Sequence, residues 1–417
     1  MIRFHISSDA QHLTPEITYL LQIWAKNQQQ EIVFSDSPDG SVTLGKGDKN
    51  VFVIPEAFAQ TRIPGIAASG MVEDERGRPD PLTTAFYLMN SLQEFDDTDA
   101  DELGRFKFTN SHQYKLNNNL DNVVQRCFDE ISKTLQLPPR RENSRFFLSH
   151  DIDLIHGAIL EDGFNVIRKG RVDLLLQMIF RVAIRRPDWL NMDKIMKLES
   201  EYDCRSIFFW LVNRGKLNAR ERNADYNFSS AKVQKQFRLV KANGFENGLH
   251  KSISPDTFAE EISKLGEHPT SNRYHYLKFH LPQAYHDIEA AGLKLDASLG
   301  FAEAIGFRNN YGAPFNPFNF NTRKPFSFVE VPLHIMDRTF FQYRRSSPEE
   351  AWKAILAFFE RNKENAVLSV LWHNNFFTNY KFKGYPELYR KILAYIRDNQ
   401  FQCISAEEII RKYSIIK

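Results

Sequence analysis

The sequence predicts an α/β protein: a small α/β unit followed by a larger region built as a parallel sheet or β/α barrel. Three observations predict this. From Arg145 onward, short apolar runs alternate with longer amphipathic stretches, the pattern of strands joined by crossover helices. Several of those stretches begin at or beside proline, which suits a first helical turn because the N–H it lacks has no partner there. The length of 417 residues suits two domains better than one, at roughly 100–200 residues each.

In the first region a helical pattern covers Pro15–Gln29, and short apolar runs follow at Glu31–Phe34 and Val51–Ile54. Further helical patterns span Leu82–Phe95 and about Leu120–Leu135. The acidic stretch Asp96–Glu102 reads as a solvated loop. Pro138 to Asn143 reads as a linker, since paired prolines end the preceding helix and extend the chain. The expected units are therefore 1–140 and 143–417, and no catalytic constellation is visible in the first.

In the second region strands are predicted at Arg145–Ser149, Ser206–Val212, Phe245–His250, Leu293–Asp296, Phe328–Pro332, Val367–Trp372 and Phe401–Ile404. Helices are predicted at Ser229–Ala242, Pro255–Leu265, Pro282–Ala291, Pro348–Arg361 and Pro386–Asp398. The stretch Glu161–Leu190 is basic and amphipathic, with Arg168, Lys169, Arg171, Arg181, Arg185 and Arg186 around an apolar Val172–Ile179 segment. It reads as a surface or lid helix, with contact to anionic lipid or an acidic glycan as the alternative.

Composition excludes several classes. The net charge of +2 gives no global surface for binding a polyanion such as nucleic acid. The three cysteines, Cys127, Cys204 and Cys403, lie far apart without CxxC spacing, which argues against a disulfide framework or a thiolate zinc site. No basic and apolar leader opens the sequence, and no run approaches the roughly 20 apolar residues of a spanning helix. A cytoplasmic protein is the expectation, with peripheral membrane contact left open. Phenylalanine is frequent, at 35 residues, enough to fill a core and to line a cleft that stacks on sugars.

Candidate reactive residues fall at strand ends in regular order. Asp151 and Asp153 end the first strand of the larger region; being i and i+2, they project from the same face. Two carboxylates side by side repel unless a cation or a shared proton sits between them. His250 ends the next but one strand, Arg273-Tyr274-His275-Tyr276 follows in a loop, Asp296-Ala297-Ser298 ends another strand, and His373 ends the run Val367–Trp372. In α/β folds chemistry collects at such strand ends.

This ordered set resembles the polysaccharide deacetylases of carbohydrate esterase family four, the NodB-homology group, over residues 143 to 417. That family's first motif is a strand ending in two Asp, met by Asp151 and Asp153. Its second, His-Ser/Thr-x-x-His, is met at His250, but Ser254 stands at the second histidine's place. Its third, Arg-x-Pro-Tyr, corresponds to Arg273-Tyr274-His275-Tyr276. Its fourth, Asp-x-Ser-x-x-Trp, corresponds to Asp296-Ala297-Ser298-Leu299-Gly300-Phe301. Its fifth, Leu-His, corresponds to Leu371-Trp372-His373.

The resemblance implies a distorted (β/α) barrel of about seven strands and a metal-dependent removal of N-acetyl groups from a sugar or oligosaccharide. It implies Asp151 as base, kept ionised by Arg273, and His373 as acid, oriented by Asp296. The backbone N–H of Tyr276 would face the oxyanion. Asp153 and His250 would hold a divalent metal, with zinc first and cobalt, nickel or manganese as alternatives. His275, or Ser254 directly or through a water, would replace the missing histidine. Further substrate-binding candidates are Trp372 and Asn374 beside His373, Arg308 in an aromatic and Asn-rich loop, and Asp337 just past Met336. That loop reads equally well as one packed by its phenylalanines. A glycan-binding protein without turnover, and another metal-assisted hydrolase on the same scaffold, are the competing readings.

Overall fold

In the computed structural model, residues 1–417 are described apart from 48, 64, 75, 157–166, 169, 171, 184–188, 380 and 417. The first region builds a four-stranded parallel sheet in the order Ile32–Phe34, Ile2–Ile6, Val42–Gly45, Phe52–Val53. The helix Thr14–Gln28 buries Ile17, Leu20, Leu21 and Trp24, the spacing of one apolar face. The helices Pro81–Met89 and Val123–Thr134 pack on one another, each opened by a side-chain cap from Asp80 or Asn122 to the backbone of the first turn.

Beside a short antiparallel pair, Phe318–Asn319 with Lys324–Pro325, the second region is built on one parallel sheet. Its order is Val329–Glu330, Leu295–Asp296, Ser271–Tyr274, Glu246–Lys251, Ser206–Trp210, Arg145–Ile152, Val367–Leu371 and Ile335–Met336. A ninth strand, Gln402–Cys403, pairs with Arg145 and Phe146, below the stretch of Arg145–Ile152 that Ser206–Trp210 occupies. The two edge strands are consecutive in sequence. The segment between them bonds to both sides, Val331 N to Asp296 O at 2.8 Å and His334 N to Ser369 O at 3.3 Å. The chain itself thus spans the seam, and the sheet curls into a distorted barrel. All seven predicted strands of this region and its five predicted helices are present with shifted ends; Ser271–Tyr274 and Ile335–Met336 are additional strands.

All pairings in the barrel are parallel, so every strand ends at the same rim, where crossover connections leave residues with free side chains. Part of the basic stretch forms the helix Val172–Ala183, on which Val172, Leu176, Ile179 and Phe180 are exposed; Lys169, Arg171, Arg185 and Arg186 lie outside the described residues. No helix among the described residues is long and apolar enough to cross a membrane.

Candidate active site

Strand alternation determines the first half of the site. Along Arg145–Ile152, Ser149 and Asp151 turn to one face, where Arg273 Nη1 donates to Ser149 Oγ and Asp151 Oδ1, each at 2.9 Å. His150 turns to the other, bonding Trp372 O at 2.6 Å and Glu199 at 2.8 Å. Arg273 is fully buried, donates through Nε to Ala297 O at 2.8 Å and lies 4.6 Å over the Phe209 ring. Burial pushes the Asp151 carboxyl up, but His250, Arg273 and His373 outweigh it and hold it below the usual carboxylate range. These partners favour the charged, proton-accepting form of Asp151.

Asp153, one step past the strand end, has His250 Nε2 at 3.3 Å and His275 Nε2 at 3.6 Å from its Oδ1. The ligand atoms of these three buried residues all lie within 4.8 Å of one another. His250 Nδ1 lies 2.9 Å from Arg273 O, and because a carbonyl only accepts, that nitrogen carries a proton and Nε2 is the atom turned to Asp153. Burial lowers the ring's pKa, but Asp151 and Asp153 outweigh it and raise it above the usual histidine value, so a cation would bind there in place of a proton on Nε2. Asp153 Oδ1 and His250 Nε2 are buried with no hydrogen-bond partner. Leaving such groups unsatisfied is costly, and a cation between them removes the cost. The donor set, two imidazoles and a carboxylate, matches that of catalytic zinc sites. Burial pushes the Asp153 carboxyl up, yet His275, His250 and His373 overcome it and hold it well below the usual range. Burial lowers His275, favouring the neutral form a metal ligand needs.

His373 follows the Val367–Leu371 strand. Its Nδ1 lies 2.7 Å from Asp337 Oδ1 and its backbone N–H donates to Asp337 Oδ2 at 2.6 Å. Nε2 then faces the cleft, accepting from Arg338 Nε at 3.2 Å, with Asp153 Oδ2 3.6 Å away. Asp337, fully buried, is thus the orienting carboxylate. Asp296 is not: it accepts from Asn272 at 2.7 Å and from Ser298 Oγ at 3.0 Å, and pairs in register with Glu330. The reason is sheet order, since Ile335–Met336 neighbours Val367–Leu371 directly and Leu295–Asp296 does not.

The cleft, about 1060 Å³, is lined by Asp151, Asp153, His250, His275, Tyr276 and His373 among others. Tyr276 adopts a left-handed φ of 62° and stacks on His275 with ring centroids 4.1 Å apart. Five of the sequence-predicted site residues lie elsewhere or act differently. Ser254 accepts from Asn223 at 2.8 Å, behind the cleft wall. Arg308 is buried in an ion pair with Glu94 at 2.5 Å. Asn374 ties Leu154 O and Trp189 O at 2.8 and 2.6 Å. Trp372 is a core side chain against Tyr385 and Tyr389. Asp337 reaches the site through His373.

Sequence reasoning missed Arg338, whose Nη2 lies 3.4 Å from Asp153 Oδ2, and Arg105, Arg222, His156 and Trp189 in the wall. Arg338 follows Asp337 in a segment already marked as reaching the cleft mouth; Arg105 and Arg222 carry no local signal. Asp96–Glu102 is not simply a solvated loop, because Asp101 and Glu102 line the cleft.

No protein-family model matches the chain, and no curated protein does. Among solved structures, it is similar to polysaccharide deacetylases. A candidate of that class from Mycobacterium smegmatis matches with 13% identity over 66% of this chain and 92% of the other, TM-score 0.41. One from Bordetella bronchiseptica, described as involved in O-antigen biosynthesis, matches with 14% identity over 65% and 89%, TM-score 0.31. A carbohydrate esterase family four pseudoenzyme from Bacillus anthracis matches with 11% identity over 68% and 73%, TM-score 0.28. At these scores the chemistry must be read from the site's own geometry.

Proposed function

We propose that the protein is a metal-dependent hydrolase that removes the N-acetyl group from a sugar unit of a glycan or glycan precursor. One observation carries this reading: an ionised, arginine-held carboxylate, an Asp-His-His triangle and a carboxylate-oriented histidine share one cleft. Amide hydrolysis needs an activated water, a polarised carbonyl and a proton for the departing amine, and these groups supply each. A divalent cation such as zinc, held by Asp153, His250 and His275, would contribute Lewis acidity toward the acetyl carbonyl and a lowered pKa for water.

Asp151 takes the proton of the attacking water, with Arg273 keeping it ionised and fixed in direction. Asp337 holds His373 with Nε2 toward the cleft; there the ring, once protonated at Nε2 in place of the bond it accepts from Arg338 Nε, gives that proton to the leaving nitrogen. The backbone N–H of Tyr276 serves the oxyanion.

The test is acetate release from N-acetylglucosamine oligomers with added zinc or cobalt. Asp151→Asn and His373→Ala should each lose about 10²–10⁴-fold in kcat, the usual worth of a positioned acid or base, while binding metal stoichiometrically. Equal rates in wild type and both variants would sink the proposal. No stoichiometric metal even after loading would favour the glycan-binding reading, and stoichiometric metal with no acetate release from any acetylated sugar would favour another metal-assisted hydrolase.

A further inference from the structure

Residues 1–140 supply one wall of the cleft, through Asp101, Glu102, Leu103 and Arg105. Arg105 is 6% exposed, and its own loop presents it: Asp101 Oδ1 accepts the backbone N–H groups of Leu103 and Arg105 at 2.9 Å, while Asp101 Oδ2 takes Arg105 Nε at 2.8 Å. Asp101 Oδ2 also takes Arg105 Nη2, at 2.7 Å, and the two terminal nitrogens reach on to the barrel. Nη1 donates to Tyr276 O at 3.0 Å, Nη2 donates to the Tyr343 hydroxyl at 3.2 Å, and the guanidinium carbon stands 5.6 Å from the Tyr343 ring centroid.

The backbone that Arg105 holds is strained. Tyr276 and Leu277 have φ of 62° and 54°, two consecutive non-glycine residues in the left-handed region. Each is costly for a residue with a Cβ, and such conformations persist only where the surroundings over-determine them. His275 immediately precedes this turn and stacks on the Tyr276 ring. A bond to the Tyr276 carbonyl fixes the rotation of the peptide that follows Tyr276, and so the whole turn.

We infer that Arg105 is a positioning residue for the turn His275–Leu277, so that the N-terminal region is a working part of the active site. The inference rests on the proposed function for what the turn does, with His275 as ligand and the Tyr276 amide as oxyanion donor. Its structural content, an N-terminal arginine holding a strained barrel turn, stands on the distances alone.

Full-length wild type, Arg105→Met and Asp101→Asn are compared for cobalt affinity by chelator competition, for kcat and KM, and for melting temperature. Arg105→Met keeps the aliphatic stem and removes every donor. It should weaken cobalt binding about tenfold, the lower end of the cost of losing support around a metal ligand, and lower kcat about tenfold or more with KM nearly unchanged. Added guanidinium should restore part of both, which a packing defect would not permit. Asp101→Asn, which weakens the hold on the guanidinium, should move both readings the same way by less. A folded Arg105→Met protein with cobalt affinity and kcat within about twofold of wild type overturns the inference; if that variant does not fold, the same result for Asp101→Asn does so. Wild type that binds cobalt without releasing acetate overturns only the deacetylase reading, and the cobalt affinities still decide the role of Arg105. Wild type that binds no cobalt overturns both.

Discussion

A histidine works as an acid only if one ring nitrogen is aimed at the leaving group and the other is held by an acceptor. In this chain the hold is double, because the two oxygens of Asp337 accept from Nδ1 and from the backbone of the same His373. Asn at 337 can satisfy only one of these donors, and its amide meets the other donor head-on. Asp337→Asn should therefore lower kcat by about 10²–10⁴-fold, the value of the acid it orients, with KM and bound metal unchanged. Steady-state acetate release alongside metal analysis checks this, and a kcat within about threefold of wild type would remove Asp337 from the mechanism. The sequence made Asp151, Asp153, His250 and His373 legible because each ends a recognisable apolar run, where alternation alone fixes the direction of a side chain. It made Asp296 a more attractive partner for His373 than Asp337, since the distance between two strands in the sheet is not written in either of them. Arg105 and Arg222 were illegible for the same reason: their meaning lies in contacts with residues far away in sequence.

Elements with long apolar runs were readable, and those whose interior is polar were not. Ser271–Tyr274 is a central strand of the barrel, yet its Ser271, Asn272 and Arg273 are all fully buried polar residues. They satisfy each other and the site, so the hydrophobic signal that marks a strand is absent. The neighbouring strands carry a related feature, for Asp296 and Glu330 face one another in register on Leu295–Asp296 and Val329–Glu330. Burial pushes both carboxyls up; Asp296 raises Glu330 further, well above the usual range, while the hydrogen bonds from Asn272 and Ser298 ease Asp296. Burial and Asp296 thus favour keeping the pair's proton on Glu330, whose Oε1 accepts from Leu299 N at 3.1 Å while its Oε2 is buried without a hydrogen-bond partner. A carboxyl whose folded pKa lies above its unfolded value contributes stability that is present below about pH 4.3, the unfolded glutamate value, and lost as pH rises through the folded pKa. Glu330→Gln keeps both an acceptor for Leu299 and a donor for Asp296 without needing the proton. It should raise the melting temperature by about 1 °C at pH 8, from roughly 1 kcal/mol of relief in a chain of this length, with the gain vanishing toward pH 4. A gain independent of pH, or a loss at pH 8, would show that the pair does not share a proton.

At the scale of the molecule, the segment from Gly306 to Phe318 decides how the two regions relate. Its aromatic and Asn-rich composition suits a sugar cleft or a packed loop equally, and the structure uses it for packing. Asn309 donates to Met89 O at 3.1 Å and Asn310 to Asn118 O at 2.9 Å, both in the N-terminal region. Gly306 has φ of 101°, and a Cβ there would lie 2.1 Å from Asn119 O, so only glycine permits this approach. One hydrophobic core continues from Phe4, Trp24 and Phe128 into Tyr311, Phe315 and Phe328. In the middle of the contact, Arg308 and Glu94, each with a side chain 3% exposed, form an ion pair, with the Phe106, Phe279 and Phe301 rings about the guanidinium. Such a pair adds little over an apolar substitute, but removing one partner strands the other's charge in the core. Arg308→Met should therefore cost about 3–5 kcal/mol in urea unfolding, and the double variant with Glu94→Gln should lose less than the two single losses combined. Because the joint is shared, the loss should appear as a shift of one cooperative transition common to both regions. A separate early transition for residues 1–140, or a loss below about 1 kcal/mol, would mean that the joint does not couple them, and Arg105 would then reach the His275 turn from a region free to move away from it.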